Sequence, residues 1–149
     1  MAKKVLLLIA GKGYQPVEYG DTKKELEDAG IEVVTGSDVE GQAYANDGTV
    51  AHVNVTLDEV DVDEYDGIFV IGGPGALEHL DRAEVYNIMR KAADEGKAYG
   101  AICISSRILA RAGVLTGKQA TGWDKDDKRN WDDENVLRRT WDNFLGIFK

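Results

Sequence analysis

The chain contains one cysteine in 149 residues, which excludes an intrachain disulfide and any metal site built from several thiolates. That scarcity fits a reducing, cytoplasmic setting. Basic residues are also few: 18 Lys and Arg stand against 27 Asp and Glu, for a net charge of −9. Such a surface repels phosphate backbones and anionic headgroups, which argues against nucleic-acid and membrane partners. No apolar run reaches the roughly 18 residues a spanning helix needs. The apolar N-terminal run is only Val5 to Ala10, and "GKG" follows it where a secretory signal would carry a small-residue cleavage site. The two histidines, His52 and His79, both precede Cys103. A single-chain triad in the order Cys then His is therefore excluded. Repeats and linkers are absent, and the length suits one domain, residues 1–149, with a sizeable core.

What is present reads as alternating strands and helices. "KKVLLLIA" and "YDGIFVIGG" are continuous apolar runs ending in glycine, as in strands buried on both faces. "KAYGAIC" and "IEVVTGS" read the same way. Pro16 can open a helix that Gly30 stops. Val85, Ile88, Met89 and Ala92 form a helical stripe closed by Gly96. A short helix, "SSRILARAG", follows Cys103, with Ser105 or Ser106 as its expected cap. "TVAHVNVTLDEV" alternates apolar and polar residues as one half-buried strand, in a hairpin with "GQAYAND"; "KQATGW" is a further candidate strand. Beyond it, a very polar stretch precedes Leu137, Trp141, Phe144, Leu145 and Phe148 at helical spacing. This order predicts a three-layer α/β/α sandwich, its sheet mostly parallel, with a small β-hairpin. Ligands in such sheets sit at the carboxyl ends of the strands, and three loops qualify: "GKGYQPVE", "GGPGALEH" and "CISS".

Each loop offers chemistry with a plainer alternative beside it. Cys103 stands where a strand turns into a helix, the position of a nucleophile elbow, and a helix N-terminus there favours thiolate. Equally, free cysteine is among the most buried residue types. The glycines of "GGPGA" let backbone N–H groups approach a ligand as an oxyanion hole, or simply make a tight turn. Glu18, in the first helical turn, either complements the helix dipole or moves protons in the same pocket. His52 falls on the polar face of its strand. His79 follows the glycine turn and could approach the pocket, though a surface helix position is the plainer reading. A dinucleotide site is poorly supported, since Gly11 and Gly13 lack a third glycine partner. The first loop also lacks the hydroxyls that a flavin phosphate would want.

Taken together, "KKVLLLIA" with Glu18, "YDGIFVIGGPGALEHL" and "YGAICISSRILARAGVLTGKQATGW" resemble the DJ-1/PfpI (ThiJ) superfamily, from Lys3 to Trp123. The resemblance implies a flavodoxin-like fold related to class I glutamine amidotransferases. It places Cys103 as the elbow cysteine and Glu18 as the acid contacting its sulfur. Backbone amides near Gly73 and Ile104 would serve as the oxyanion region, with Gly72, Gly75 and His79 as secondary candidates. It also implies intracellular peptidase, glyoxalase, deglycase or peroxide-sensing roles, homo-oligomers from dimers to hexamers, and no cofactor or metal. Two departures stand out. The peptidase-like branch has histidine directly after the cysteine, where this chain has Ile104, so peptide hydrolysis is in doubt. After "ATG" the family continues through a strand, a "DG" turn and another strand, where this chain has "DKDDKRNWDDEN".

The expectation is thus a cysteine-dependent enzyme acting on a small reactive carbonyl, with a peptide the weaker candidate substrate. The alternatives are a redox-sensing stress protein whose Cys103 is oxidised without turnover, and an inactive scaffold.

Overall fold

The computed structural model describes residues 3–123 and the short strand Leu137–Arg138. Lys4–Ile9 forms β1 at the centre of a five-stranded parallel sheet. Leu6, Leu7, Leu8 and Ile9 are fully buried in it. A run apolar on both faces can fold this way only when both faces are covered, and each such side chain contributes about 2 kcal/mol of burial. The remaining sheet strands are β3 (Glu32–Ser37), β6 (Val55–Thr56), β7 (Gly67–Val70) and β8 (Ala98–Ala101), in the order β6-β3-β1-β7-β8.

The helices follow from local signals. Pro16 opens α1 (Pro16–Asp28), and the Gln15 side chain caps it by accepting from Val17 N at 2.6 Å and Glu18 N at 3.3 Å. Helix α3 (Ala83–Asp94) buries Val85, Ile88, Met89 and Ala92, the stripe its spacing predicts. The crossover carrying α1 from β1 to β3 runs one way across the sheet; that carrying α3 from β7 to β8 runs the other. Right-handed connections of opposite direction place their helices on opposite faces, which gives the three layers. Two shorter helices, α2 (Ala76–Leu80) and α4 (Ser106–Ala112), follow the loops at the carboxyl ends of β7 and β8.

Three expectations change. The "GKGYQ" loop contains a short strand, β2 (Lys12–Tyr14), which joins a second sheet with β4 (Gln42–Ala45) and β5 (Val50–His52). The hairpin is β4 against β5, with Ala43 opposite Ala51. The long alternating segment is two strands rather than one. Ala51, Val53 and Leu57 are buried as the alternation requires, but at Asn54 the chain leaves one sheet for the other. There Asn54 N donates to the Thr35 carbonyl, and the Asn54 amide oxygen accepts from Thr35 N, both at 2.8 Å. Alternation reports which side faces a core and is blind to which sheet supplies it. Finally, Gln119–Ala120 (β9) pairs in parallel with Leu137–Arg138 (β10). Leu137 therefore stands in a strand, while the other residues of the proposed C-terminal helix, and the polar segment before it, lie outside the described residues. No helix among the described residues is long and apolar enough to cross a membrane.

Substituting Leu8→Ala in the fully buried central strand should lower unfolding free energy by about 2–5 kcal/mol. Urea denaturation measures this; a loss under about 1 kcal/mol would mean that the surrounding core closes over the space.

Candidate active site

The sheet brings three loops to one edge. After β1, the chain runs through β2 into α1 and delivers Gln15 and Glu18. After β7 come Gly72, Gly73 and Pro74, and after β8 comes Cys103. Backbone bonds lock these loops together: Gln15 N donates to the Gly72 carbonyl at 3.0 Å, and Gly75 N to the Gly13 carbonyl at 2.9 Å. At Gly73, with φ +124°, a β-carbon would lie 2.5 Å from Gln15 N and from the Gly13 carbonyl oxygen, so only glycine fits between the two loops.

Cys103 has φ +59° and is the only non-glycine described at positive φ. A side chain held there is strained, and a strained turn at a strand's end presents the thiol outward. The turn is held from behind. Ser105 Oγ donates to the Ile71 carbonyl at 2.7 Å, and Ser106 Oγ to the Cys103 carbonyl at 2.9 Å. Trp123 N also donates to the Cys103 carbonyl, at 3.2 Å. Ser105 takes the N-cap position of α4, as the sequence suggests, but neither serine caps the helix through its side chain. A tight 3-10 turn, Cys103–Ser105, replaces the extended cap residue, and both hydroxyls brace the elbow instead.

Glu18 sits beside it. Its Oε1 accepts from Gly72 N at 3.0 Å. A β-carbon on Gly72 would lie 2.6 Å from that oxygen and 2.9 Å from the Cys103 β-carbon, so the missing side chain lets acid and thiol approach. Glu18, Cys103, Gly73 and Ile104 line a cavity of about 480 Å³. Gln15, Pro74, Leu77 and Trp123 complete the lining, which is predominantly apolar.

The electrostatics run against one expectation. Burial pushes the Glu18 carboxyl up, and the Gly72 N–H opposes this by favouring the ionised form. Burial, and then the negative charge of Glu18, pushes the Cys103 thiol up to about 11, with the Ile104 N–H acting in the opposite sense. The sequence suggested a thiolate favoured by the helix N-terminus. Burial and a neighbouring carboxylate outweigh that effect, and the Cys103 thiol keeps its proton at neutral pH.

His79 is not among the cavity's lining residues. Its Nδ1 lies 2.5 Å from Asp38 Oδ2, and Asp38 Oδ1 accepts from Gly11 N at 2.8 Å. The secondary role considered for His79 is thereby replaced by a pairing that ties α2 to the end of β3. His52 is exposed on the hairpin. Of the other secondary candidates, Gly72 holds Glu18, while Gly75 packs on the backbone of Lys12 and Gly13. Sequence reading missed Gln15, Pro74, Leu77 and Trp123. Gln15, Pro74 and Leu77 lie in two of the loops the sequence placed at the strand ends, though nothing in the residues singled them out, apart from Gln15 preceding a proline at a helix start. Among the described residues, no cluster of His, Cys, Asp and Glu could hold a metal ion.

Residues 3–140 match the DJ-1/PfpI family. An uncharacterised protein of Methanocaldococcus jannaschii is 33% identical over 119 residues, 79% of this chain, which spans only 58% of that relative. Deglycase PfpI of Pyrococcus furiosus is 32% identical over 140 residues, covering 90% of this chain and 84% of its own. Among solved structures, Drosophila melanogaster DJ-1beta superposes with a TM-score of 0.82 at 23% identity, covering 93% of this chain and 74% of that one. At that identity the likeness speaks for the fold alone.

Two outcomes follow. Cys103→Gly should be more stable than Cys103→Ala by about 1 kcal/mol, reversing the usual order, because alanine keeps the positive-φ strain; thermal denaturation compares them. In Glu18→Gln, the pH midpoint of Cys103 alkylation should fall from near 11 toward the ordinary thiol range, since the neighbouring negative charge is gone. An upward shift would mean that Glu18 stabilises the thiolate instead.

Proposed function

The chain belongs to the DJ-1/PfpI family, and on that premise we propose that it is a cysteine-dependent enzyme acting on small reactive carbonyl compounds. The observation that carries this reading is Cys103, held at φ +59° at a mostly apolar cavity with Glu18 anchored beside it. Sulfur attacks the carbonyl carbon as its proton passes to the Glu18 carboxylate. The S–C bond forms, and the C=O π pair moves to oxygen near the Gly73 and Ile104 amides. Glu18 then returns the proton to that oxygen, leaving a hemithioacetal. A carboxyl raised by burial is a stronger base than an exposed one, which suits a thiol that is not already ionised. The name deglycase, borne by the Pyrococcus furiosus relative, fits a carbonyl-directed thiol.

Peptide cleavage has less support. It needs a proton donor for the leaving amine, and Ile104 stands where an imidazole would. Oxidation sensing also has less support, because sulfenic acid formation follows thiolate character and the thiol is held near 11.

Consumption of methylglyoxal tests the proposal. Cys103→Ala should abolish it, and Glu18→Gln should slow it by about 100-fold or more, even though that variant holds more thiolate. Equal activity of wild type and Cys103→Ala would sink the reading.

A further inference from the structure

The elbow helix carries a cation with no ion-pair partner among the described residues. Cys103, Ile104, Arg107 and Arg111 are the incompletely buried positions between Cys103 and Ala112. The spacing of three and then four residues puts Ile104, Arg107 and Arg111 on one face, while Cys103, at φ +59°, precedes the helical backbone. Arg111 is engaged by Asp81, whose other oxygen accepts from the Tyr86 hydroxyl. Arg90, on the neighbouring helix α3, donates to the Ala112 carbonyl. Arg107 differs: its Nε is buried without a hydrogen-bond partner, and no described acid forms an ion pair with it. A guanidinium is always charged, and a buried donor left unmade is costly, so an unpaired arginine in a chain of net charge −9 calls for an acceptor.

Its position indicates which acceptor. Side chains on a helix lean toward its N-terminus, so Arg107 leans over the turn that holds Cys103 and Ile104. Those two residues line the cavity; Arg107 stands outside that lining, which holds no cation of its own. The acidic surface would otherwise repel anionic substrates, and the Glu18 carboxyl adds to that repulsion from within.

We propose that Arg107 is an anion-binding residue of this site, selecting carbonyl substrates that carry a carboxylate or phosphate. The inference rests on Cys103 being the reacting atom and adds the charge of what it reacts with.

The test uses two alkylating reagents of similar size, neutral iodoacetamide and anionic iodoacetate. With each, the Cys103 sulfur displaces iodide: the S–C bond forms, the C–I bond breaks, and the thiol proton goes to solvent. In Arg107→Gln the ratio of iodoacetate rate to iodoacetamide rate should fall about five- to tenfold, while the iodoacetamide rate itself moves less than about twofold. Arg107→Lys should keep part of the ratio. The wild-type ratio should also fall with added salt, a measurement that needs no variant. A ratio unchanged in Arg107→Gln, or a wild-type ratio indifferent to salt, overturns the proposal and leaves the nucleophile reading intact. A thiol inert to both reagents sinks that reading instead. Calorimetric titration with glyoxylate then decides for Arg107: binding weakened about fivefold or more in Arg107→Gln supports it, and equal or absent binding overturns it.

Discussion

At Gly72 the backbone leaving the central sheet passes between an acid and a thiol. Its N–H donates to Glu18 Oε1 at 3.0 Å, and a β-carbon there would lie 2.6 Å from that oxygen and 2.9 Å from the Cys103 β-carbon. Everything in the pocket depends on this narrow passage. The bond orients the carboxyl, and the missing side chain admits it to the sulfur's neighbourhood. A hydrogen-bonded, half-buried carboxyl also raises the affinity of the thiol for its proton. One backbone position thus sets both the geometry and the protonation of the pair.

The surrounding fold spends stability to hold this arrangement. Cys103 occupies a backbone conformation that L residues avoid, and it stays there because four groups brace it. Ile102 N donates to the Val70 carbonyl, the two serine hydroxyls bond behind the turn, and Trp123 N reaches the Cys103 carbonyl. The fully buried β1 leucines and isoleucine supply the rigidity against which these bonds act. The elbow is a local cost met by the core of the central sheet.

The chemistry open to the site is narrowed as much by neighbours as by the nucleophile. Ile104, Leu77, Pro74 and Trp123 make the cavity largely apolar. His79 is held by Asp38, and His52 is exposed on the hairpin, so neither imidazole serves the pocket. Glu18 is the one ionisable proton carrier beside Cys103 among the lining residues, and Arg107, four positions on, keeps a buried Nε without a hydrogen-bond partner among the described residues.

Much of this was legible in the residue order. Continuous apolar runs identified the buried strands, a stripe of four residues identified α3, and Cys103, Glu18 and the glycine turn were each recognisable at a strand's end. These signals are local, since periodicity and turn chemistry act over a few neighbours. Other features were not legible because distant segments decide them. The split at Asn54 depends on which sheet lies nearer, and the engagement of His79 depends on Asp38, 41 positions away. Ser105 holds the cap position, but Ile71 and the Cys103 carbonyl claim the two hydroxyls that capping would use. The protonation of Cys103 was read with the wrong sign, because a helix terminus is visible in sequence while burial and the approach of Glu18 are not. The sequence by itself determined the order of layers and which acid and which thiol stand at the strand ends; the tertiary structure alone decided how tightly each holds its proton, because desolvation and close approach exist only once the chain has folded.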